Sequence, residues 1–342
     1  MKTTRLALPL LAAGLAACSS VGPVAPNNEE QVFTIFAQGF ALAQGSDPSA
    51  SFEGIAVDAS GEFVYVASYF RGTVVRLRAS DLSIVGSTDL PLLVEGLTIA
   101  PDGSLLAVHK DAGLSVLDTP SLAPIALHNT GGGFFVASAG PGRTLTSGNM
   151  PLVLLDTDSG ETLAEYAPEG GVNMWHFAVA PDGSRIAALR SDGGGRQIHL
   201  LTPELELSTA FDFSAYGGLG SVVHHATDEK LYMLARDFFA NDFLVVIDLA
   251  ALTSNAIRLN PSDCSVLCVA NPAAISREGR WVVFGGERSA YFVDTTVDLP
   301  VALLGSSAAG SGVAASPTED AFFFLRHDGL VSKVSYPILP AN

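Results

Sequence analysis

The sequence predicts an all-β fold made of seven copies of one four-stranded unit, and three observations lead to that prediction. Short runs of alternating apolar and polar residues, rich in Val, Leu, Phe and Tyr, are separated by Gly, Asp, Pro and Ser. This pattern is typical of strands and turns. A turn motif of the Pro-Asp-Gly type recurs along the chain, and a second apolar run follows each copy at a similar offset.

The turn motif sets the length of the repeat. It is clearest at residues 54–61, 96–103 and 177–183, with weaker copies at 135–142, 223–229, 274–279 and 313–319. The ends of successive turns are 42, 39, 41, 46, 50 and 40 residues apart. Four short strands in about 40 residues is the period of a propeller blade. The repeats therefore predict a seven-bladed β-propeller with four-stranded blades.

The two ends of the repeat array are expected to close the ring. The last repeat, residues 313–336, is short and has no clear outer strand, whereas residues 31–37 form a spare strand with no repeat of their own. We expect this N-terminal strand to complete the last blade, because closure removes the exposed sheet edges that promote aggregation. On this interpretation residues 31–338 form one propeller domain.

The N-terminus predicts export and lipid attachment. A short basic segment precedes an apolar run at residues 6–17, which is too short to span a bilayer and is typical of a signal peptide at residues 1–17. Leu-Ala-Ala-Cys at residues 15–18 resembles the bacterial lipobox, which implies acylation of Cys18. The alternative is an ordinary cleaved signal with an incidental cysteine. Residues 18–30 are then the lipidated N-terminus and a polar, flexible tether, and the predicted location is the cell envelope, at the outer membrane or another extracytoplasmic membrane surface.

Charge and cysteine content restrict the partners. Removal of residues 1–17 takes away Lys2 and Arg5 and changes the formal net charge from −17 to −19. Such an acidic chain does not suit nucleic acid, whose phosphates need a basic surface, or a polybasic membrane contact. Cys264 and Cys268 are expected to form a disulfide in an exported protein, since a metal site would need more cysteine or histidine nearby.

Three runs of sequence resemble a known repeat. Residues 64–68 (Val-Tyr-Val-Ala-Ser), 179–183 (Val-Ala-Pro-Asp-Gly) and 155–160 (Leu-Asp-Thr-Asp-Ser-Gly) are similar to the repeat of bacterial YVTN-type seven-bladed β-propellers. The resemblance covers about residues 31–338 and extends to lactonase-type propellers. It implies the propeller fold and a surface or periplasmic protein with no assigned chemistry. Departures at residues 140–142 and 227–229 leave the boundaries of the third and fifth blades open.

One face of the predicted ring is the expected place for a ligand. In a propeller the first strand of each blade lines the central channel. The loops before the first strands, and those joining the second and third strands, open on one face, which we call the mouth face. The residues predicted to lie at the channel mouth are Glu53, Glu95, Trp175, His176 and His224. Alternatively, Trp175 and Phe134 plug the channel, and the histidines hydrogen-bond to backbone or water.

Basic residues are predicted to form a collar on the same face. One basic residue stands at or just after the second strand of six blades: Arg71, Lys110, Arg190, Arg236, Arg288 and Arg326. On an acidic protein this collar would attract a carboxylate, a phosphate or an acidic glycan. The alternative is a set of local ion pairs, since an acidic residue follows closely at Asp111, Asp192, Asp237 and Asp328.

The predicted function is a non-catalytic binding or scaffold module held at a membrane by its lipid. No Gly-rich phosphate loop or Gly-x-Ser-x-Gly elbow is found, so no cofactor is predicted. The expected partner is an envelope protein, a glycan or a small anion. One alternative, implied by the lactonase resemblance, is a hydrolase that uses His176 with Glu53 or Glu95 and one collar arginine. Another is a metal site formed by Glu53, Glu95, His176 and His224.

Overall fold

Seven antiparallel sheets of four strands make up the part of the chain that the computed structural model describes. That part comprises residues 40–41, 52–69, 71–110, 113–131, 133–147, 151–168, 174–192, 195–227, 229–239, 241–259, 273–285, 290–304, 312–326 and 329–335. Within these residues no helix is long and apolar enough to cross a membrane. The predicted signal peptide, Cys18, the tether, Arg288 and the Cys264–Cys268 pair lie outside them.

Each sheet is one blade, and the blades are numbered here in chain order. Blade 1 comprises β2 (Phe52–Val57), β3 (Phe63–Ser68), β4 (Thr73–Arg78) and β5 (Ile84–Asp89). Blade 2 comprises β6 (Val94–Ile99), β7 (Leu105–His109), β8 (Gly113–Leu117) and β9 (Pro124–His128). Blade 3 comprises β10 (Phe135–Ser138), β11 (Arg143–Ser147), β12 (Leu152–Asp156) and β13 (Thr162–Tyr166). Blade 4 comprises β14 (Met174–Val179), β15 (Ile186–Asp192), β16 (Gly195–Leu201) and β17 (Leu207–Asp212).

The remaining three blades follow the same order of strands. Blade 5 comprises β18 (Gly218–His224), β19 (Lys230–Arg236), β20 (Asp242–Asp248) and β21 (Thr253–Arg258). Blade 6 comprises β22 (Ala273–Ile275), β23 (Trp281–Gly285), β24 (Ala290–Asp294) and β25 (Leu299–Leu304). Blade 7 comprises β26 (Gly312–Ala315), β27 (Ala321–Leu325), β28 (Leu330–Ser335) and β1 (Phe40–Ala41). The predicted seven blades of four strands are confirmed.

The ring is closed by the N-terminal part of the chain, as predicted. The first strands of neighbouring blades touch one another all round, and β26 of blade 7 touches β2 of blade 1. The outer strand of blade 7 is β1, in which Phe40 pairs with Val331 and Ala41 with Leu330. The predicted closing strand, residues 31–37, lies outside the described residues.

Apolar side chains fill every interface between blades. Seven core clusters are present, and each combines residues of two consecutive blades. The cluster that joins blade 7 to blade 1 includes Val64, Val66, Phe323 and Val331. The second strands β7, β23 and β27 are buried at every position, whereas the outer strands are half exposed. Because each sheet covers both neighbours, no blade has a solvated face of its own.

A repeated hydrogen bond fixes the hairpin between the first and second strands. In all seven blades a backbone amide just after the first strand donates to the carbonyl just before or at the start of the second, at 2.8 to 3.1 Å. The donors are Asp58, Ala100, Ala139, Ala180, His225, Ser276 and Ser316. These hairpins, and those joining the third and fourth strands, form the turn face, which lies opposite the mouth face. The bond also sets the boundaries of blades 3 and 5.

Leucines with a left-handed backbone occupy the hairpins between third and fourth strands. Leu82, Leu122, Leu205 and Leu252 have φ between 53° and 64°, and Gly160 holds the corresponding place in blade 3 with φ 71°. A left-handed conformation costs a residue with a Cβ about 1–2 kcal/mol. Leu82, Leu122 and Leu205 are at most 3% exposed, so burial of their side chains offsets the strain, whereas Leu252 is 56% exposed.

We expect Leu82→Gly and Leu252→Gly to change stability in different ways. Leu82→Gly relieves the strain but removes a buried side chain from the core between blades 7 and 1, and should cost about 2–4 kcal/mol. Leu252→Gly relieves the same strain with little burial lost, and should leave the free energy of unfolding within about 1 kcal/mol or raise it. Urea unfolding of both variants measures the difference. An equal loss in both would contradict the offset between strain and burial.

Candidate functional site

Glu53, Glu95 and Trp175 occupy one equivalent position at the mouth end of the first strands. Each is the second residue of its strand and lies at a register shift, between Phe52 and Gly54, between Val94 and Gly96, and between Met174 and His176. Each is therefore an extra residue with no partner position on the second strand. Such bulges redirect a side chain and are frequent beside binding and active sites. The prediction placed these residues before the strands, and the structure places them within the strands.

Blades 3 and 5 have an extra residue at the same place. In blade 3 the amide of Phe134 donates to the carbonyl of Ser147, the residue that pairs with Phe135. In blade 5 the register shifts between Leu219 and Val222. All five first strands whose mouth ends are described thus carry this irregularity. Its repetition makes it a property of the mouth face and not of a single blade.

The first-strand position that follows the extra residue, with its equivalent in blade 7, is glycine in one part of the ring and carries a side chain in another. In blades 7, 1 and 2 it is Gly312, Gly54 and Gly96, and the neighbouring strand lies very close. A Cβ at Gly54 would lie 2.8 Å from the backbone nitrogen of Leu97, and one at Gly312 would lie 2.7 Å from the Ile55 side chain. These positions form a glycine arc, in which a Cβ would lie within 3.3 Å of an atom of a neighbouring strand.

In the other arc the same position carries side chains. It is Phe135 in blade 3, His176 in blade 4 and Ser221 in blade 5. The ring centroids of Phe135 and His176 are 4.1 Å apart, and His176 is buried. We call these three positions the side-chain arc. His176 is thus packed against the Phe135 ring within the layer of first strands. This arrangement resembles the predicted aromatic plug more than it resembles an exposed catalytic base. Phe135 takes the place that was expected for Phe134.

His224 does not lie at the mouth. It is the last residue of β18 and pairs with Leu231 beside the hairpin of the turn face. The prediction was shifted by three residues in blade 5, because the turn of that blade lacks the usual Gly. His224 is therefore at the opposite end of the first strands from Glu95, and the proposed set of Glu53, Glu95, His176 and His224 does not converge. Within the described part of the chain no group of three or more His, Cys, Asp or Glu is placed to bind a metal ion.

The described collar residues lie near the ends of the second strands or just after them, but several are held by neighbours. Arg236 donates to the buried carboxylate of Asp242, from Nε to Oδ1 at 2.7 Å and from Nη2 to Oδ2 at 3.1 Å. The predicted partner, Asp237, makes other contacts. Lys110 donates to the Tyr69 hydroxyl of blade 1 at 2.8 Å. Local contacts thus account for part of the collar, although with partners other than those predicted.

Arg190 belongs to a hydrogen-bonded chain between blades 3 and 4 that the sequence did not suggest. Gln197 Oε1 accepts from Arg190 Nη1 at 3.4 Å and from His199 Nε2 at 2.9 Å. His199 Nδ1 then accepts from the Tyr166 hydroxyl at 2.7 Å. This arrangement needs a neutral imidazole, and burial together with the charge of Arg190 lowers the pKa of His199. Burial also raises the pKa of Tyr166, which favours the protonated donor.

Three buried hydroxyl groups on the mouth side of the blades have no hydrogen-bond partner among the described residues. The Oγ atoms of Ser68, Ser147 and Ser221 are buried and have no partner among the described residues. Ser68 and Ser147 end second strands on the mouth side, and Ser221 lies in the side-chain arc. Buried polar groups are normally satisfied, so water or a polar ligand is expected at such positions. Serine in a strand is too common for the sequence alone to have singled them out.

The buried imidazole of His224 predicts a loss of stability in mild acid. Burial, followed by the nearby charge of Arg185, lowers the pKa of His224 to about 4. Between pH 6.5 and about 4 the unfolded chain binds a proton that the folded chain does not, so stability falls as the pH falls through this window. The loss should approach 3 kcal/mol for this residue, at about 1.4 kcal/mol per pKa unit.

We expect His224→Val to remove that part of the pH dependence, because valine occupies the equivalent positions Val57 and Val179. Urea midpoints of both proteins at pH 7 and pH 4.5 measure the effect, and the NMR titration of His224 in the native protein checks its pKa. Parallel pH profiles for the two proteins would contradict the prediction.

Comparison with known proteins supports the fold and goes no further. No protein-family model matches the sequence, and no curated protein sequence matches it. Among solved structures, the chain is similar to Kuenenia stuttgartiensis hydrazine synthase, with a TM-score of 0.74 and 13% identity over 87% of this chain and 98% of that chain. It is also similar to the β-propeller domain of Cps50 (Swd1) from Myceliophteria thermophila, with a TM-score of 0.67 and 10% identity over 83% of this chain and 98% of that chain. At these identities the likeness establishes a β-propeller fold alone.

Proposed function

We propose that this chain is an exported lipoprotein, acylated on Cys18, whose propeller binds an envelope partner through its mouth face. The observation that carries the binding role is the extra residue at one register in five first strands, which sets Glu53, Glu95 and Trp175 at the mouth. Bulges of this kind redirect side chains and are frequent beside binding sites, and here they recur on one face of the ring. The turn face, by contrast, consists of tight hairpins whose polar groups bond to one another.

The partner is expected to be acidic or to carry an acidic group. Arg71, Lys110 and Arg326 follow the ends of second strands on this face, Arg236 is the last residue of β19, and Arg190 lies two residues before the end of β15. A glycan with acidic groups, a carboxylate-rich protein segment or a small anion would suit these cations. The N-terminal sequence supports export and anchoring.

The lipid anchor can be tested with cysteine variants of the full chain made in a bacterium that processes lipoproteins. The native protein should gain acyl mass at Cys18 and fractionate with membranes, while Cys18→Ser should lose both properties because it lacks the thiol that is acylated. Cys264→Ser is the matched control and should keep the lipid. Mass spectrometry of the N-terminal peptide and cell fractionation measure these outcomes. A native chain without acyl mass would refute the anchor.

The binding face can be tested with two double variants of equal charge change. Arg71→Glu with Lys110→Glu alters the mouth face, whereas Arg78→Glu with Arg277→Glu alters exposed positions on the turn face. Ligands are captured from envelope extracts by the native protein and identified, and binding of each variant is then measured by titration. The mouth pair should weaken binding at least about tenfold, or 1.4 kcal/mol, and the turn pair should not. Equal effects of the two pairs would refute the assignment of the face, provided that urea midpoints show both to be folded.

A further inference from the structure

Two adjacent phenylalanines project from the mouth face of blade 5. Phe238 and Phe239 follow β19, in the connection to β20, and are 67% and 87% exposed. Among the described residues no large apolar side chain is more exposed than these two. Each ring exposes apolar surface to water in the folded protein, which is unfavourable unless something covers it.

The backbone around the two rings is held in place by hydrogen bonds. The Asp237 carboxylate accepts from the amides of Phe239 and Asn241, both at 2.8 Å, and from Asn241 Nδ2 at 2.7 Å. These bonds, with that of the Asn241 side chain foremost, keep the pKa of Asp237 below its usual value. The Asp237 amide donates in turn to the Asn241 carbonyl at 2.9 Å. The rings are thus presented on an ordered base, so little conformational entropy is lost when they are covered.

One guanidinium group contacts the Phe238 ring, and a second bonds to the loop that carries both rings. The Arg196 guanidinium carbon lies 5.4 Å from the centre of the Phe238 ring, and Arg258 donates to the Asn241 side-chain carbonyl. The nearby acids are engaged, because Asp237 binds its own loop and Asp242 binds Arg236. Exposed aromatic rings next to arginine suit a bilayer surface. There the rings can enter the interface while the guanidinium groups contact lipid phosphates.

The turn face is more acidic than the mouth face, which also favours an approach of the mouth face to a bilayer. Acids predominate in the described hairpins of the turn face: Asp58, Glu62, Asp81, Asp102, Asp118, Asp156, Asp158, Glu161, Asp182, Glu204, Glu206, Glu229, Asp248, Glu278, Asp294, Asp298, Glu319 and Asp320. The cations among them are Arg78, Arg143, Arg185, Lys230, Arg277 and Arg280. Among the described residues, acids and bases are more nearly balanced on the mouth face, so an anionic surface repels the turn face more strongly.

We propose that Phe238 and Phe239 insert into the surface of the bilayer that holds the Cys18 lipid, and so turn the mouth face toward the membrane. The inference rests on the proposed acyl anchor. If residues 18–30 are the flexible tether that the sequence predicts, their r.m.s. span is about 20 Å, which would keep the propeller near the bilayer. A contact too weak to recruit a free protein is then sufficient to orient a tethered one.

The test uses the full lipidated chain in vesicles of phosphatidylethanolamine and phosphatidylglycerol with brominated acyl chains. Phe239→Trp reports on the loop, and Leu252→Trp is the matched control, since Leu252 is also exposed but lies on the turn face. The signal of Trp175 and Trp281 is subtracted with the native protein. Bromine near the interface should lower the emission of the residue-239 reporter about twofold and leave the control unchanged.

The outcomes separate this inference from the proposed function. If mass spectrometry shows acylated Cys18 and the residue-239 reporter is not quenched, the membrane contact is refuted and the anchor stands. Equal quenching of both reporters also refutes the contact, because the propeller then has no preferred face. If Cys18 carries no acyl chain, the proposed anchor fails and the contact that depends on it fails with it.

Discussion

The constraint on which this molecule depends is that every blade needs a neighbour on each side. The sheets are apolar on both faces, and each of the seven core clusters belongs to two blades. An open array would leave two such faces in water, so the chain must bring its ends together. The two-residue strand Phe40–Ala41 completes blade 7 with a chain segment that precedes blade 1. The apolar cluster between blades 7 and 1 then makes the last interface equivalent to the other six.

Closure of the ring constrains the loops of the turn face more strongly than those of the mouth face. The turn face is determined by hairpins that must reverse the chain in a few residues, and their acids are consumed in local bonds such as that of Asp102 with Ser104. The mouth face carries the longer connections and the bulged ends of the first strands, which the cores do not dictate. Binding specificity can therefore change there while the apolar interfaces stay intact. The same division explains why exposed aromatic rings occur beside the mouth and not among the hairpins.

The sequence predicted the ring and its blade count because the turn motif is local and its chemistry repeats. For the same reason it placed Glu53 and Glu95 beside the first strands, although within one residue of their true starts, since both stand just before a Gly that begins a clear copy. It failed where contacts are not local. His224 was misplaced because blade 5 has a weak turn and an extra residue in its first strand, which only the pairing reveals. Asp242 was missed as the partner of Arg236 because the antiparallel register, and not proximity in sequence, brings the two together.

The glycine arc and the side-chain arc have a consequence for how such a protein could acquire new specificity. At Gly54 and Gly312 any mutation beyond glycine collides with the next strand, so these positions are closed to variation. At Phe135, His176 and Ser221 the same layer already accommodates an aromatic ring, an imidazole and a hydroxyl group. Among the described positions of this layer, adaptation to a new ligand is therefore confined to blades 3, 4 and 5, where a library at the three positions would sample it.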